Sequence, residues 1–174
     1  TYSSGNKKGV IKGYYENGKL QLEGILKNSK PDGHYKTYYD NGQLEEEGYY
    51  EDGKLEGATK TFYKNGQLQE ETTYKDGKVD GIAKKYYDNG NLQEEMIFEN
   101  AVLQGSHRVY YKNGQLKEET TYKDGKFDGP FRKYYENGSL FFEGTFKYGK
   151  PEGLYKNYYE NERLQEEGIY KNGK

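Results

Sequence analysis

The sequence predicts an all-β protein: an elongated single-layer antiparallel β-sheet of seven tandem 24-residue β-hairpin repeats, twisted or curved into a ribbon. Three observations carry this prediction. One unit recurs seven times from Gly9 without an insertion. Most units hold two glycine turn signals about a dozen residues apart, with Tyr-rich segments between them, which is the pattern of strand, turn, strand, turn. No stretch between the turns has the length and apolar period of an amphipathic helix.

The repeats begin at Gly9, Gly33, Gly57, Gly81, Gly105, Gly129 and Gly153, so residues 9–174 form one repeat domain. Residues 1–8 read as the end of a preceding repeat, because Tyr2 and Gly5 stand where Tyr50 and Gly53 stand later. The last unit stops at Lys174, two residues short, and the chain reads as a piece of a longer array or as a domain without its caps. Counted from each initial Gly, position 6 is Tyr or Phe and position 7 is always Tyr. Position 9 is always Asn, and position 10 is Gly except at Glu162. Position 12 is always Leu, position 15 is Glu from Glu23 to Glu167, and position 18 is aromatic except at Leu26. Recurrence inside one chain reports what each unit needs in order to stack on its neighbours.

Each Asn-Gly or Asp-Gly pair fits either a two-residue type I′ turn or a three-residue loop with Gly at a bulge. Tyr148-Gly149 occupies one Asp-Gly place, and Tyr is poorly suited to positive φ. Two-residue loops at both ends of a strand would also ask some residues to bond to both neighbours at once. Three-residue loops throughout are therefore expected. In that register Tyr38 faces Leu44 and Lys36 faces Glu46. One face then carries Tyr38, Leu44, Gly48 and Tyr50, the other Tyr39 and Glu47. Fourteen strands are expected.

Composition narrows the function classes. Only 31% of residues are apolar, and charged residues make up 32% yet nearly cancel to −2. Low hydrophobicity raises disorder as an alternative, but aromatics reach 17% and the net charge is small. The neutral balance argues against a nucleic-acid binder, which would show a basic patch. There is no apolar run of about 18 residues for a membrane-spanning helix, and Thr1–Ser4 lack the apolar core of a signal peptide. Cys is absent, which removes disulfides, thiolate zinc sites and a cysteine nucleophile.

The segments Tyr-Tyr-Glu-Asn-Gly-Lys-Leu (14–20), Tyr-Lys-Asp-Gly-Lys (74–78) and Lys-Pro-Asp-Gly (30–33) resemble the MORN repeat in its bacterial variant form, over essentially the whole chain. The resemblance implies a curved sheet of β-hairpin repeats. It also implies non-enzymatic roles: scaffolding, protein binding including antitoxin-like proteins, and for some members membrane-lipid association. It supplies no catalytic residues. The chain differs from the better-known eukaryotic form in lacking Trp and in its Tyr-Tyr pair, which ranks lipid binding below protein binding. Abundant Lys, Asn, Glu and Tyr suit a bacterial source. The compartment is then the bacterial cytoplasm, or the cell surface if a leader lies outside these residues.

No catalytic, metal or cofactor site is expected. The Glu ladder reads as a solvated strand face paired with lysines, because special chemistry breaks a repeat locally and this Glu is part of the repeat. His34 and His107 stand at different positions, three units apart, and read as two surface histidines. The glycines lie in turns without the following helix of a nucleotide loop. The candidate binding surface comprises the position-7 residues Tyr39, Tyr63, Tyr87, Tyr111 and Tyr135, with Phe131, Phe141 and Phe142. Two breaks in the repeat, Asn100–Gln104 and Pro130–Phe142, read as apolar contact sites or as packing adjustments. The expected partner is a protein. Self-association through open sheet edges and a membrane lipid are alternatives.

Overall fold

A computed structural model describes residues 8–171, 173 and 174. Tyr2 and Gly5, which carry the preceding repeat, lie outside the described residues. The described residues form eighteen strands of one antiparallel sheet, with no helix among them. The fold class is the expected one. The chain divides into two compact units, Thr1–Gly81 and Ile82–Lys174, each built from the same repeat. The fourteen expected strands become eighteen because four are interrupted by one residue: Lys30–Pro31 from Gly33–Tyr38, Lys54–Leu55 from Gly57–Phe62, Val102–Leu103 from Gly105–Tyr110, and Lys150–Pro151 from Gly153–Tyr158. The residue after each break is the initial Gly of a repeat, at positive φ, from 67° at Gly105 to 133° at Gly33. That conformation is why the repeat opens on Gly.

The two turns of the repeat differ. At the Asn-Gly turn the expected three-residue loop is present: Tyr39 N–H donates to Gln43 O and Gly42 N–H to Tyr39 O, both at 2.8 Å. Only Gly42 needs positive φ there, at 93°. Even Glu162, where Gly is replaced, keeps the turn at φ 65°. At the Asp-Gly turn the expectation fails. Glu51 pairs directly with Lys54, leaving a two-residue loop. Both central residues are left-handed, Asp52 at 46° and Gly53 at 88°. Tyr148 takes φ 51°, and Asn100-Ala101 take 51° and 66°. The type I′ turn matches the twist of the flanking strands, and this outweighs a local cost of about 1–2 kcal/mol for a non-Gly left-handed residue.

Mixing a three-residue and a two-residue loop leaves a strand with the wrong parity to bond both neighbours. One extra residue restores it. Tyr38 faces Leu44 as expected, but the register then shifts, and Thr37 faces Glu46 while Lys36 faces Glu47. The bulge at Glu45 therefore corrects the expected Lys36–Glu46 pair. It also exchanges the faces beyond it. Lys36, Tyr38 and Glu47 share one face, which we call the ladder face. Tyr35, Glu46, Gly48 and Tyr50 share the other, the ring face. The expected Tyr38–Leu44–Tyr50 ladder does not exist, because Tyr50 lies opposite Tyr38's side of the sheet.

Packing on the ring face is set by two facing positions, 3 and 16. Their occupants compensate in size: Ile11 faces Gly24, Tyr35 faces Gly48, Thr59 faces Thr72, His107 faces Thr120, Phe131 faces Gly144 and Tyr155 faces Gly168. The best-buried side chains sit here, Thr120 at 1% exposure among them. A Cβ on Gly48 would lie 2.8 Å from the Tyr35 ring and 2.9 Å from Thr59 Oγ1. Gly48→Thr is thus expected to destabilise by about 1–3 kcal/mol through overpacking. Adding Tyr35→Thr recreates the Thr–Thr pair of the third repeat. Urea denaturation of the four proteins of the double-mutant cycle should give a favourable coupling of about 1 kcal/mol or more; additive losses would refute size compensation.

Candidate functional site: two faces and two stitched edges

Within each unit the invariant residues of the Asn-Gly turn tie a repeat to the one that follows it. The position-7 hydroxyl donates to the carbonyl at position 6 of the following repeat. In the first unit Tyr15 reaches Tyr38 O and Tyr39 reaches Phe62 O, both at 2.7 Å. In the second unit Tyr87, Tyr111 and Tyr135 reach Tyr110 O, Tyr134 O and Tyr158 O at 2.8–2.9 Å. Asn at position 9 acts twice: its Oδ1 accepts the backbone N–H two residues on, as Asn113 does from Gln115 at 2.9 Å, and its Nδ2 donates to the next repeat, as Asn113 does to Glu136 O at 3.0 Å. The opposite edge is stitched too. Gly53, Gly125 and Gly149 donate to Pro31 O, Leu103 O and Phe127 O at 2.8–3.0 Å. The backbone N–H at Asp76 or Asp124 donates to the side chain of Glu56 or Gln104, in the preceding repeat.

The ladder face carries alternating charge. Within the first unit Lys12, Glu23, Lys36, Glu47, Lys60 and Glu71 face one another in turn across successive strands. The second unit continues the pattern with Arg108 and Arg132 on either side of Glu119, at 2.8 and 3.8 Å. Phenols add to it: Tyr38 donates to Glu23 at 2.7 Å and Tyr158 to Glu143 at 2.8 Å. Lys12, Lys36 and Lys60 in the first unit and Arg108 and Arg132 in the second lie 2.8–3.8 Å from the Glu23, Glu47, Glu71 and Glu119 carboxylates, an arrangement that holds strands in register. Burial, then the Glu23 hydrogen bond, pushes the Tyr38 phenol up to about 12. Burial and the Glu46 bond raise Tyr35 as well.

The ring face of the second unit holds a connected aromatic cluster. Tyr122 and Phe127 lie 4.7 Å apart between centroids, Phe127 and Phe146 5.3 Å, Phe131 and Phe146 5.4 Å, and Phe131 and Phe142 5.7 Å. Phe142 stacks on Tyr155 at 6.3 Å. The first unit has one corresponding ring pair, Tyr35 with Tyr50 at 4.9 Å. His107 extends the cluster toward Tyr122 and is not a surface histidine: its side chain is 13% exposed and Nε2 lies 2.8 Å from Glu94 Oε1. It was misread because position 3 was not recognised as buried.

The candidate surface residues therefore separate. Phe131 and Phe142 meet in the cluster, while Phe141 packs edge-on to Tyr135 at 5.2 Å and is 38% exposed. Tyr39, Tyr63, Tyr87, Tyr111 and Tyr135 are all half-buried, with Lys64 over the Tyr39 ring and Lys117 over that of Tyr111. Near the break at Asn100–Gln104, Ile97 and Val102 are 38% and 41% exposed on the ladder face, with Ile82 at 48% on the same face. The second unit's tyrosines Tyr122 and Tyr155, together with Phe127 and Phe146, were missed; positions 3, 18 and 23 become aromatic together there, and that coincidence was the available signal. Among the described residues no three His, Cys, Asp or Glu side chains converge as a metal site.

A family model described as MORN repeat variant matches this chain seven times, at residues 7–28, 31–52, 55–76, 79–100, 103–124, 127–148 and 151–172. No curated protein matches. Among solved structures, the crystal structure of a protein with unknown function from Bacteroides fragilis is similar at 12% identity, covering 95% of this chain and 94% of that one with a TM-score of 0.16.

Two outcomes test the ties described above. Tyr111→Phe removes one inter-repeat hydroxyl bond without changing ring volume and is expected to cost about 1 kcal/mol in urea denaturation. The raised phenols hold their protons more tightly when folded than when unfolded. The stability they contribute is therefore complete below the unfolded value near 10 and is lost as pH rises through about 12, the Tyr38 value. Phenolate absorbance and far-ultraviolet circular dichroism should change together in that window; phenolate formation complete near pH 10 with the sheet intact would contradict it.

Proposed function

This chain belongs to the MORN repeat variant family, and from that premise we propose that it is a non-enzymatic repeat scaffold that binds a protein partner through its second unit. The observation that carries this reading is the aromatic cluster from Tyr122 to Tyr155. Its rings lie on one face of a sheet, are only half-buried, and have no second layer over them among the described residues of that unit. A sheet normally buries one face against another layer. Aromatic side chains with polar tips are the residues that interfaces favour. The regular pairing of the Glu ladder supports a scaffold over an enzyme, since the position-15 carboxylates from Glu23 to Glu119 are each held by a facing cation. An antitoxin or immunity role is the form this function takes where the partner is a toxin.

Immobilised folded protein should retain a specific protein from native extract. Phe131→Ser and Phe142→Ser, confirmed as folded by circular dichroism, are expected to weaken retention about tenfold or more, in keeping with aromatic anchors. Glu71→Gln, on the ladder face of the first unit, should leave it unchanged. Equal retention by all variants, or no retained protein, would count against the reading.

A further inference from the structure

The Asn-Gly turns carry a reactive pair. The backbone nitrogen of a Gly that follows Asn can attack the Asn side-chain carbonyl carbon, since no Cβ shields it. The turn restrains this at each copy by engaging the Gly N–H: Gly42 donates to Tyr39 O at 2.8 Å and Gly138 to Tyr135 O at 2.9 Å. The inter-repeat stitch adds a second restraint by holding the amide nitrogen that would leave. Nδ2 of Asn89 and Asn113 donates to Lys112 O and Glu136 O at 3.0 Å, and that of Asn17 and Asn41 to Asp40 O and Lys64 O at 3.5 Å.

Asn137 lacks that second restraint. Ser139 stands where the other repeats have longer polar side chains, and its Oγ takes the stitch, 3.1 Å from Glu160 O and 2.7 Å from Asn137 Oδ1. Its one proton serves either oxygen. The Ser139 N–H also donates to Asn137 Oδ1, at 2.9 Å. When the Ser139 proton turns to Asn137 Oδ1, two donors converge on the oxygen that gains negative charge as the carbonyl carbon is attacked, and Nδ2 has no hydrogen-bond partner among the described residues. Donors placed in this way stabilise the developing oxyanion. The turn lines an open polar depression of about 490 Å³ with Gln115, Glu160, Asn161 and Glu162, so water reaches it.

We propose that Asn137-Gly138 is a site of spontaneous backbone modification in the folded protein. The Gly138 N–Cγ bond of Asn137 forms and the Cγ–Nδ2 bond breaks. Nδ2 leaves as ammonia with the proton that the Gly138 nitrogen gives up through solvent, closing a succinimide. Water then adds across one of the two imide C–N bonds, yielding aspartate or isoaspartate. No oxidation state changes. The new carboxylate stands in the depression that already holds Glu160 and Glu162, and isoaspartate lengthens the backbone inside a turn that fixes strand register. The modification loosens the junction of the sixth and seventh repeats.

The test is peptide mapping of the intact chain by mass spectrometry after incubation at mildly alkaline pH, folded and in urea. Folded protein is expected to convert Asn137 about tenfold faster than Asn89 or Asn113, the scale of one to two net hydrogen bonds. In urea the three sites should convert at similar rates. Ser139→Gln, which restores the residue of Gln115, and Ser139→Ala should each slow Asn137 in the folded chain. Equal folded rates at the three sites overturn the proposal, as does a folded Asn137 rate unchanged in both Ser139 variants.

Discussion

A sheet one layer thick has no opposing layer to bury against, so each repeat must hold its neighbour through strand pairing and turns alone. This constraint accounts for residues that would otherwise look decorative. Tyr at position 7 reaches the next repeat, as Tyr111 does, and Asn at position 9 closes its own turn and reaches across as Asn113 does, with Ser139 taking that contact at Asn137. On the other edge, Asp, Glu or Gln stands before the initial Gly of every repeat but the first, where Lys8 stands. Asp32, Glu56, Gln104 and Asp128 each accept a turn N–H from the following repeat, with Gln104 standing in the least regular repeat. The sequence there changes from Asp-Gly-Lys to Asn-Ala-Val while the stitch persists. Stability in such an array is a sum of nearest-neighbour terms, and here those terms are hydrogen bonds to main chain more than apolar burial.

The ladder face follows from the same constraint. Glu23 and Glu47 each sit between two cations, one in their own hairpin and one in the next, as Glu119 does between Arg108 and Arg132. Exposed pairs of this kind contribute about 0.2–1 kcal/mol each. Their larger effect is on register: a slip by one residue would place Lys against the ring face and aromatics in the ladder. The bulge at Glu45 is what allows this register beside two unlike turns, and the position after Leu admits Glu45, Lys117 and Phe141 alike because it belongs to neither ladder.

The hairpin unit, its period, the all-β class and the Asn-Gly loop were legible in the sequence, because invariant Tyr, Asn, Gly and Leu mark backbone requirements directly. The Asp-Gly turn was not. One residue, Tyr148, argued against positive φ, and the strand twist that overrides it is a property of the paired strands and not of the turn residues. Once that turn was misassigned, parity removed the bulge, and Glu46, Gly48 and Tyr50 moved to the wrong face. The buried line at positions 3 and 16 was hidden for a different reason. Neither position is constant, and only the pair is: Tyr with Gly, Thr with Thr, Phe with Gly. Variation that compensates across a strand pair looks like tolerance when each position is read alone.

That compensation also bears on where function resides. Where position 16 is Thr, as at Thr72 and Thr120, the facing residue is Thr59 or His107 and the line is filled by intermediate side chains. Where it is Gly144, the large partner Phe131 is flanked by Phe127, Phe142 and Phe146, although Gly48 shows that one Tyr suffices to fill the space. At Gly144 the space is taken by the position-14 ring, Phe142, whose edge would lie 3.0 Å from an added Cβ, and the position-23 ring of Phe127 is additional to it. Phe142 replaces the Glu that five other repeats place at position 14, such as Glu46 and Glu118, and so gives up a hydrogen bond acceptor for apolar surface on a face with no second layer over it among the described residues of its unit. Phe142 fills the space over Gly144 and stacks on Tyr155, so the rings of Phe127 and Phe146 beside it are surplus apolar surface, and that surplus is the physical ground for proposing a partner on the second unit's ring face.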